Sequence, residues 1–389
     1  MLCPGTSAPQ TTIAAQIEAD RSEETAWSIR PRRFLPRGES TAISTLRPMS
    51  PSDATSRKGT ILRTGDVSID ALRGRTIVVL GYGNQGRAHA LNLRDSGLTV
   101  VVGGRAGSEK LLLAAREGFE ALPLPEAAAR ADLAIVSIPD QAQPAAWAKW
   151  IEDALPRDAV VGFVHGFAIR FGFIVPREDL GVVLVAPKGP GTTVRARYEE
   201  GLGIPALFAI ERENALKTAR AFALAWGAGI GCARSGLIET TFAAEAESDL
   251  FGEQAVLCGG LLALVHEAYA LLVEAGYPPE VAYIECCHEV KQVADLLYAR
   301  GPDGMRRAIS DTAEFGAFVA EQSLVDEHLR AKLRTLLADV RSGAFARRFM
   351  QDHDAGHPEF TAWRRAASGH PIEAASARVR GLMPWLKDA

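Results

Sequence analysis

The sequence lacks an excess of either charge: 43 Lys and Arg stand against 47 Asp and Glu, a formal net charge of −4 across 389 residues. A generally basic nucleic-acid binder is thereby excluded, although a local basic patch is not. Cysteine is scarce. Cys3, Cys232, Cys258, Cys286 and Cys287 form no C-x-x-C pair, and their odd number argues against a fully paired disulfide framework. A reducing, cytoplasmic setting is expected. No apolar run has the length a membrane-spanning helix needs, and no positively charged start feeds an apolar signal segment, so no membrane partner is expected. What is present is apolar material: 47% hydrophobic residues, enough for a sizeable core spread over two or three domains.

Residues 1–62 mix Ser, Thr and Pro with scattered charge and hold no sustained period of 2 or 3.6, which predicts a disordered leader. Glu18, Asp20, Glu23 and Glu24 precede the basic stretch Arg30 to Arg33, which suits an organellar presequence poorly; an upstream start, with Met49 as the natural first residue, is the alternative. Order is expected from about Asp66. Thr76–Leu80 is a short β-branched run without polar alternation, as in a buried parallel strand. Residues 98–102, 133–138, 159–164 and 182–186 repeat the type with helical runs between them. That alternation predicts an α/β fold with a Rossmann-like, doubly wound sheet over residues 63–237. From residue 238 to 389 the texture is helical. Residues 255–275 stop at Gly276, Pro278-Pro279 opens the next helix, and 324–340 reads as another. The tail around His357-Pro358 and His370-Pro371 is expected to be irregular, with Trp363 and Trp385 packed against the body.

Gly81-Tyr82-Gly83-Asn84-Gln85-Gly86 lies between the first strand and its helix. A G-x-G-x-x-G in that context binds a dinucleotide. Gly81 makes the tight turn, Gly83 admits the pyrophosphate, and Gly86 lets helix and sheet approach. Where an NAD site wants an acid after the second strand, this chain has Arg105, with Ser108 and Lys110 following. A guanidinium fork, a hydroxyl and an ammonium suit a 2′-phosphate, so NADP(H) is expected over NAD, although Glu109 would oppose a phosphate if it pointed inward. Asp140, Gln141, Ala142 and Gln143 follow the 133–138 strand, at the sheet's carboxyl edge beside the dinucleotide.

Asp249/Glu253 and Glu285/Glu289 are each four residues apart, which on a helix puts both carboxylates of a pair on one face. Like charges at that spacing repel, so either they face water or a cation compensates them. Apolar neighbours favour semi-burial, and oxygen-only donors suit a hard ion such as Mg²⁺, two ions for two pairs. Zinc would recruit His or Cys, and His288 stands one position off the Glu285/Glu289 face. His165 and Lys188 end two strands, where open α/β sheets place functional groups.

The segment from about 72 to 387 resembles ketol-acid reductoisomerase (acetohydroxy acid isomeroreductase) of the short bacterial class. The resemblance runs through the glycine loop, where the family usually has Ser for Asn84, and through Ala186 to Gly191 and Ile238 to Phe242. It continues in Asp249 to Gly260, Glu285-Cys286-Cys287-His288-Glu289, Ser310 to Glu314, His370 to Glu373 and Met383 to Leu386. It implies an NADPH domain followed by a knotted, all-α domain. Asp249, Glu253, Glu285 and Glu289 fall on the magnesium ligands, the second pair supplied by a partner subunit, so that a homodimer or higher homo-oligomer shares each active site. His165, Lys188, Glu289 and Ser310 fall on active or substrate-contacting positions. Gly81 to Gly86, Arg105, Ser108, Lys110, Asp140 to Gln143 and Gly191 fall on the cofactor side. The implied reaction is Mg²⁺-assisted alkyl migration in 2-acetolactate or 2-aceto-2-hydroxybutyrate, then NADPH reduction to a 2,3-dihydroxy acid for branched-chain amino acid biosynthesis.

The chain departs from the family in Ala168 and Arg170 (usually Asn and His), Thr192-Thr193 (usually His-Leu), Val290 and Gln292 (usually Leu) and Phe315 (usually Tyr). These keep open a diverged paralogue with another 2-hydroxy-2-acyl acid as substrate. A metal-independent NADP dehydrogenase or imine reductase, and a non-catalytic scaffold, are the other readings.

Overall fold

The structure is a computed structural model and describes residues 60–386. Its sheet has nine strands: β1 (Ile61–Leu62), β2 (Thr76–Leu80), β3 (Thr99–Gly104), β4 (Glu120–Pro123), β5 (Leu133–Val136), β6 (Val160–Phe163), β7 (Gly181–Pro187), β8 (Ala206–Arg212) and β9 (Leu237–Glu239). Their spatial order is β1-β9-β8-β7-β6-β5-β2-β3-β4. Strands β2 to β7 run parallel in the doubly wound order, with the switch point between β2 and β5, where such sheets bind ligands. The sheet is nonetheless mixed, because β8 returns antiparallel beside β7. Most of the predicted disordered leader lies outside the described residues. Its last two residues do not behave as predicted: Ile61 and Leu62 pair with Ile238 and Leu237 and close the sheet edge. Two residues are too short for any periodicity to announce them.

Helices cover both faces of the sheet: α1 (Asn84–Asp95), α2 (Glu109–Arg116), α3 (Leu124–Ala128), α4 (Gln143–Ala146), α5 (Phe167–Arg170), α6 (Gly191–Glu199) and α7 (Ala219–Gly229). Two apolar layers result. One packs Ile77, Val79, Ile135 and Val183 under Leu91, Leu93 and Trp226; the other packs Val78, Leu80, Val161 and Leu184 under Trp147 and Ile151. Alternate residues of each strand face opposite layers, so an uninterrupted β-branched run is what a doubly covered strand requires.

Beyond β9 the chain is helical: α8 (Phe242–Gly252), α9 (Gly259–Glu274), α10 (Pro279–Tyr283), α11 (Val290–Arg306), α12 (Asp311–Leu324), α13 (Glu327–Arg341), α14 (Ala344–Asp354), α15 (Pro358–Ser368) and α16 (Pro371–Gly381). The tail predicted as irregular is therefore three helices. Each His-Pro pair is a start signal, with His357 and His370 in the N-cap position and proline at the first helical residue, where its missing N–H costs nothing. The helix expected over 324–340 is present but starts three residues later, at Glu327, because Asp326 caps α13 by accepting from Leu329 N at 2.8 Å.

Helices α8 and α9 join through a wide turn in which Cys258 N donates to Glu253 O at 2.9 Å, and α10 and α11 join the same way, Glu289 N to Ile284 O at 3.2 Å. Each i→i+5 turn inserts a residue into the helical register, a device common at functional sites; the first begins at Glu253, and the second holds Glu285 and ends at Glu289. The first makes Phe242–Glu274 one continuous helix of 33 residues, in which an 18-residue stretch has mean hydropathy 1.9, long and apolar enough by length and composition to cross a membrane. This overturns the expectation that no such run exists. Little of its apolar surface is covered within the chain, and Leu257 (67% exposed), Phe315 (72%), Trp363 (56%) and Trp385 (75%) stand open as well. The two tryptophans are thus not packed against the body, as their size had led one to expect.

Candidate active site

Three neighbouring strands deliver side chains to one place. Asp140 follows β5, His165 follows β6 and Lys188 follows β7, all at carboxyl ends. Helix α8, capped by Thr241 Oγ1 accepting from Ala244 N at 3.0 Å, lies across them and presents Glu245 and Asp249 on one face. Lys188 Nζ donates to Glu245 Oε1 at 2.8 Å and to Asp249 Oδ1 at 2.9 Å. Glu245 Oε2 accepts from Gly166 N at 2.8 Å. A Cβ on Gly166 would stand 2.7 Å from Phe242 O, so only glycine lets the His165 turn approach this helix so closely. His165, Glu245 and Asp249 each offer a ligand atom within 4.8 Å of the others, the only such group of His, Cys or acidic residues among the described residues.

Glu245 was not among the predicted site residues. It is 1% exposed and stands four positions before Asp249, as Asp249 stands four before Glu253. That three-step acidic ladder was the available signal. The field of these acids sets the titration of the cations. Burial pushes the His165 imidazole down, but the hydrogen bond with Asp140 and the charges of Asp140, Glu245 and Asp249 outweigh it and raise it to about 9. Burial likewise opposes the Lys188 ammonium, and Glu245 and Asp249 more than compensate, so its pKa is raised. Glu253 is raised by partial withdrawal from water and by Asp249 beside it. His165 Nε2 is buried, lies 3.6 Å from Asp249 Oδ2 and has no hydrogen-bond partner.

Glu285, Glu289 and Ser310 join this cluster through no hydrogen bond or ion pair among the described residues. Both acids are exposed rather than semi-buried, at either end of the wide turn between α10 and α11. Ser310 caps α12, its Oγ accepting from Ala313 N at 3.3 Å. The cluster fits a divalent cation in part: Asp249 and Glu253 supply hard oxygens, and a buried unpaired nitrogen faces the same space.

The dinucleotide loop fits its ligand on steric grounds. Gly81 has φ +101°, and a Cβ there would meet Ser137 backbone at 3.0 Å; a Cβ on Gly86 would be 2.1 Å from Gly81 O. Gly83 faces open space at the start of α1, where unpaired N–H groups await an anion. Tyr82 is buried, and its hydroxyl donates to Glu117 Oε2 at 2.6 Å, so its ring serves the core. Asn84 is exposed at the helix start, and Gln85 Nε2 donates to Gly189 O at 2.9 Å. Gly191 packs on the loop from behind, since a Cβ there would lie 2.1 Å from Asn84 O. Ser108 is committed as the cap of α2 and to Arg105 O, 2.8 Å away. Arg105 and Lys110 are exposed. Asp140 and Gln143 bond to one another, and Asp140 bonds His165, whereas Gln141 and Ala142 make no side-chain hydrogen bond among the described residues.

Residues 71–236 match the family described as acetohydroxy acid isomeroreductase, NADPH-binding domain, and residues 242–385 match ketol-acid reductoisomerase, C-terminal domain. An NADH-preferring ketol-acid reductoisomerase from an uncultured archaeon superimposes with a TM-score of 0.80 at 40% identity, covering 84% of this chain and 99% of the other. A semialdehyde dehydrogenase NAD-binding protein from Cupriavidus necator is similar in fold alone, with a TM-score of 0.53 and 19% identity over 69% of this chain and 98% of the other. The chain belongs to the ketol-acid reductoisomerase family and is an NAD(P)-dependent oxidoreductase with isomerase activity.

Proposed function

We propose that the enzyme converts 2-acetolactate and 2-aceto-2-hydroxybutyrate to 2,3-dihydroxy acids by magnesium-dependent alkyl migration and NADPH reduction, within branched-chain amino acid biosynthesis. The observation that carries this reading is the acidic ladder Glu245, Asp249 and Glu253 set against Lys188 and His165 at the carboxyl ends of β6 and β7. Asp249 and Glu253, with Glu285 and Glu289 of a second copy, would hold two Mg²⁺ ions. Magnesium there would supply Lewis-acid stabilisation of the substrate's hydroxyl and keto oxygens. The protein's own part is to hold charge and protons. Lys188 balances Glu245 and Asp249, His165 turns Nε2 toward the same space, and Glu289 is the candidate proton carrier.

A shared site needs a second subunit. The uncovered faces of α9 and α12 and a hollow of about 580 Å³ lined by Leu264, Ala317, Leu324 and Leu329 are the surface such a partner would bury, which is also why the long apolar helix is read as an interface. Cys232, Cys258, Cys286 and Cys287 are all free, in keeping with a cytoplasmic setting. NADPH would supply hydride. Exposed Arg105 and Lys110, close to the end of β3, favour it over NADH, in contrast to the archaeal relative's preference. The test is nicotinamide oxidation with 2-acetolactate, with each cofactor, with and without Mg²⁺. Turnover that survives chelation removes the metal, and equal use of NADH removes the phosphate reading. Gln292, one turn past Glu289, favours a second reading in which a larger or more polar acyl group is preferred; turnover of acyl homologues decides it.

A further inference from the structure

We infer that Asp140 and Gln143 act on the reaction through His165: they are positioning residues that hold the imidazole, rather than groups that read the dinucleotide. The inference rests on His165 serving the proposed reaction, and its geometry stands independently of that.

The loop after β5 turns at Pro139, and Gln143 opens α4 with Pro144 at the next position, so a short rigid turn separates Asp140 from Gln143. Gln143 is 2% exposed. Its Nε2 donates to Ile138 O at 2.8 Å and to Asp140 Oδ1 at 3.0 Å. Both partners are acceptors, so the amide orientation is settled by them: a flipped amide would set oxygen against oxygen. The cost is a buried Gln143 Oε1 without a partner. That leaves Asp140 Oδ2 pointing at the adjacent strand end, 3.0 Å from His165 Nδ1. On its face the imidazole lies against Phe167, ring centroids 6.0 Å apart and planes 29° from parallel. One edge and one face of the ring are therefore fixed, and the remaining nitrogen, Nε2, is directed at Asp249.

The chemistry follows from which atom is held. A carboxylate on Nδ1 takes the N–H of that nitrogen whether the ring is neutral or charged, so the orientation does not depend on protonation state. Nε2 alone is left to face the reacting centre, as a lone pair or as a donor. A carboxylate placed behind a histidine in this way is the arrangement that orients imidazoles at metal and catalytic sites. Sequence position puts Asp140 to Gln143 beside the dinucleotide. Side-chain direction puts Asp140 against His165, with Gln143 bonded behind it.

The test uses full-length oligomeric protein carrying Asp140→Ala, Asp140→Asn or Gln143→Met. Three quantities are read: kcat with 2-acetolactate and Mg²⁺, the Kd for NADPH without substrate, and the His165 Nδ1–H proton in ¹⁵N-histidine-labelled protein. Asp140→Ala should lower kcat roughly tenfold to a hundredfold, the range for losing such a supporting partner, with NADPH Kd unchanged and the Nδ1–H resonance lost. Asp140→Asn keeps an acceptor and should recover part of kcat and the resonance; Gln143→Met should fall between the two. An NADPH Kd that rises as far as kcat falls, with the resonance intact in Asp140→Ala, overturns the inference and returns the loop to the cofactor. Should wild-type protein not turn over 2-acetolactate, the functional reading fails and the resonance alone decides the positioning claim.

Discussion

Removing Glu245 exposes the energetics of the site most sharply. The carboxylate is 1% exposed, pairs with Lys188 and accepts from Gly166 N. Glu245→Ala would orphan the Gly166 N–H, worth about 1–3 kcal/mol when buried. It would also leave Lys188 with Asp249 alone. Losing one partner of a fully buried pair costs about 3–5 kcal/mol, but the Lys188 side chain is 32% exposed and keeps a second carboxylate, so the lower end applies. The expected total is about 4–6 kcal/mol for Glu245→Ala and about 3 kcal/mol for Glu245→Gln, which keeps an oxygen for Gly166 but not the charge. Urea denaturation of metal-free protein, at one protein concentration because an oligomer's stability depends on it, reads both numbers. Glu245→Ala within about 0.5 kcal/mol of wild type, the range of an ordinary surface substitution, would show that Glu245 does not hold Lys188 and Gly166 together.

Gly86→Ala should disrupt folding of the first domain through its 2.1 Å approach to Gly81 O, whereas Gly83→Ala, facing open space, should leave the melting temperature unchanged and weaken NADPH binding in a titration. Because the folded His165 pKa is raised from 6.5 to about 9, its contribution is complete below pH 6.5 and is lost as pH climbs to about 9. Metal-free protein should therefore lose up to about 3 kcal/mol over that window, and His165→Asn should flatten the profile, as followed by denaturant midpoints. Arg170 joins α5 to α8 through Glu247 at 2.7 Å, with side chains 12% and 18% exposed. Arg170→Met should cost about 2–4 kcal/mol, and calorimetry checks it. Glu289→Gln should abolish conversion with NADPH affinity preserved; ordinary turnover in that variant would remove Glu289 from the mechanism.

How much of this was legible in the sequence depended on what each residue was asked to signal. Strand β2 was found to the residue because a doubly covered parallel strand shows itself as unbroken β-branched sequence. β8 was not, although Ala206 to Ile210 is apolar throughout, because only Ile210 in that run is β-branched and Glu211-Arg212 closes it after five residues. The glycine loop was readable because each glycine answers a separate steric demand. Glu245 was missed because a buried acid looks like a surface acid until its lysine is placed, and Lys188 is 57 residues away in sequence. The wide turn at Glu285 leaves no compositional mark, so the helical face projected from Glu285 to Glu289 lost phase. His-Pro pairs were taken for breakers when they were caps.

On the proposed function, one chain's Asp249 and Glu253 meet another chain's Glu285 and Glu289. Complementation between inactive subunits tests it most directly. Asp249→Asn and Glu289→Gln proteins, each inactive alone, are unfolded together and refolded as an equal mixture. Half of the dimers should then be mixed, and each mixed dimer holds one intact site of two, so about a quarter of wild-type activity is expected. Activity no higher than that of the separate variants, with mixed dimers demonstrated by mass spectrometry, would place all four carboxylates within one chain and contradict it.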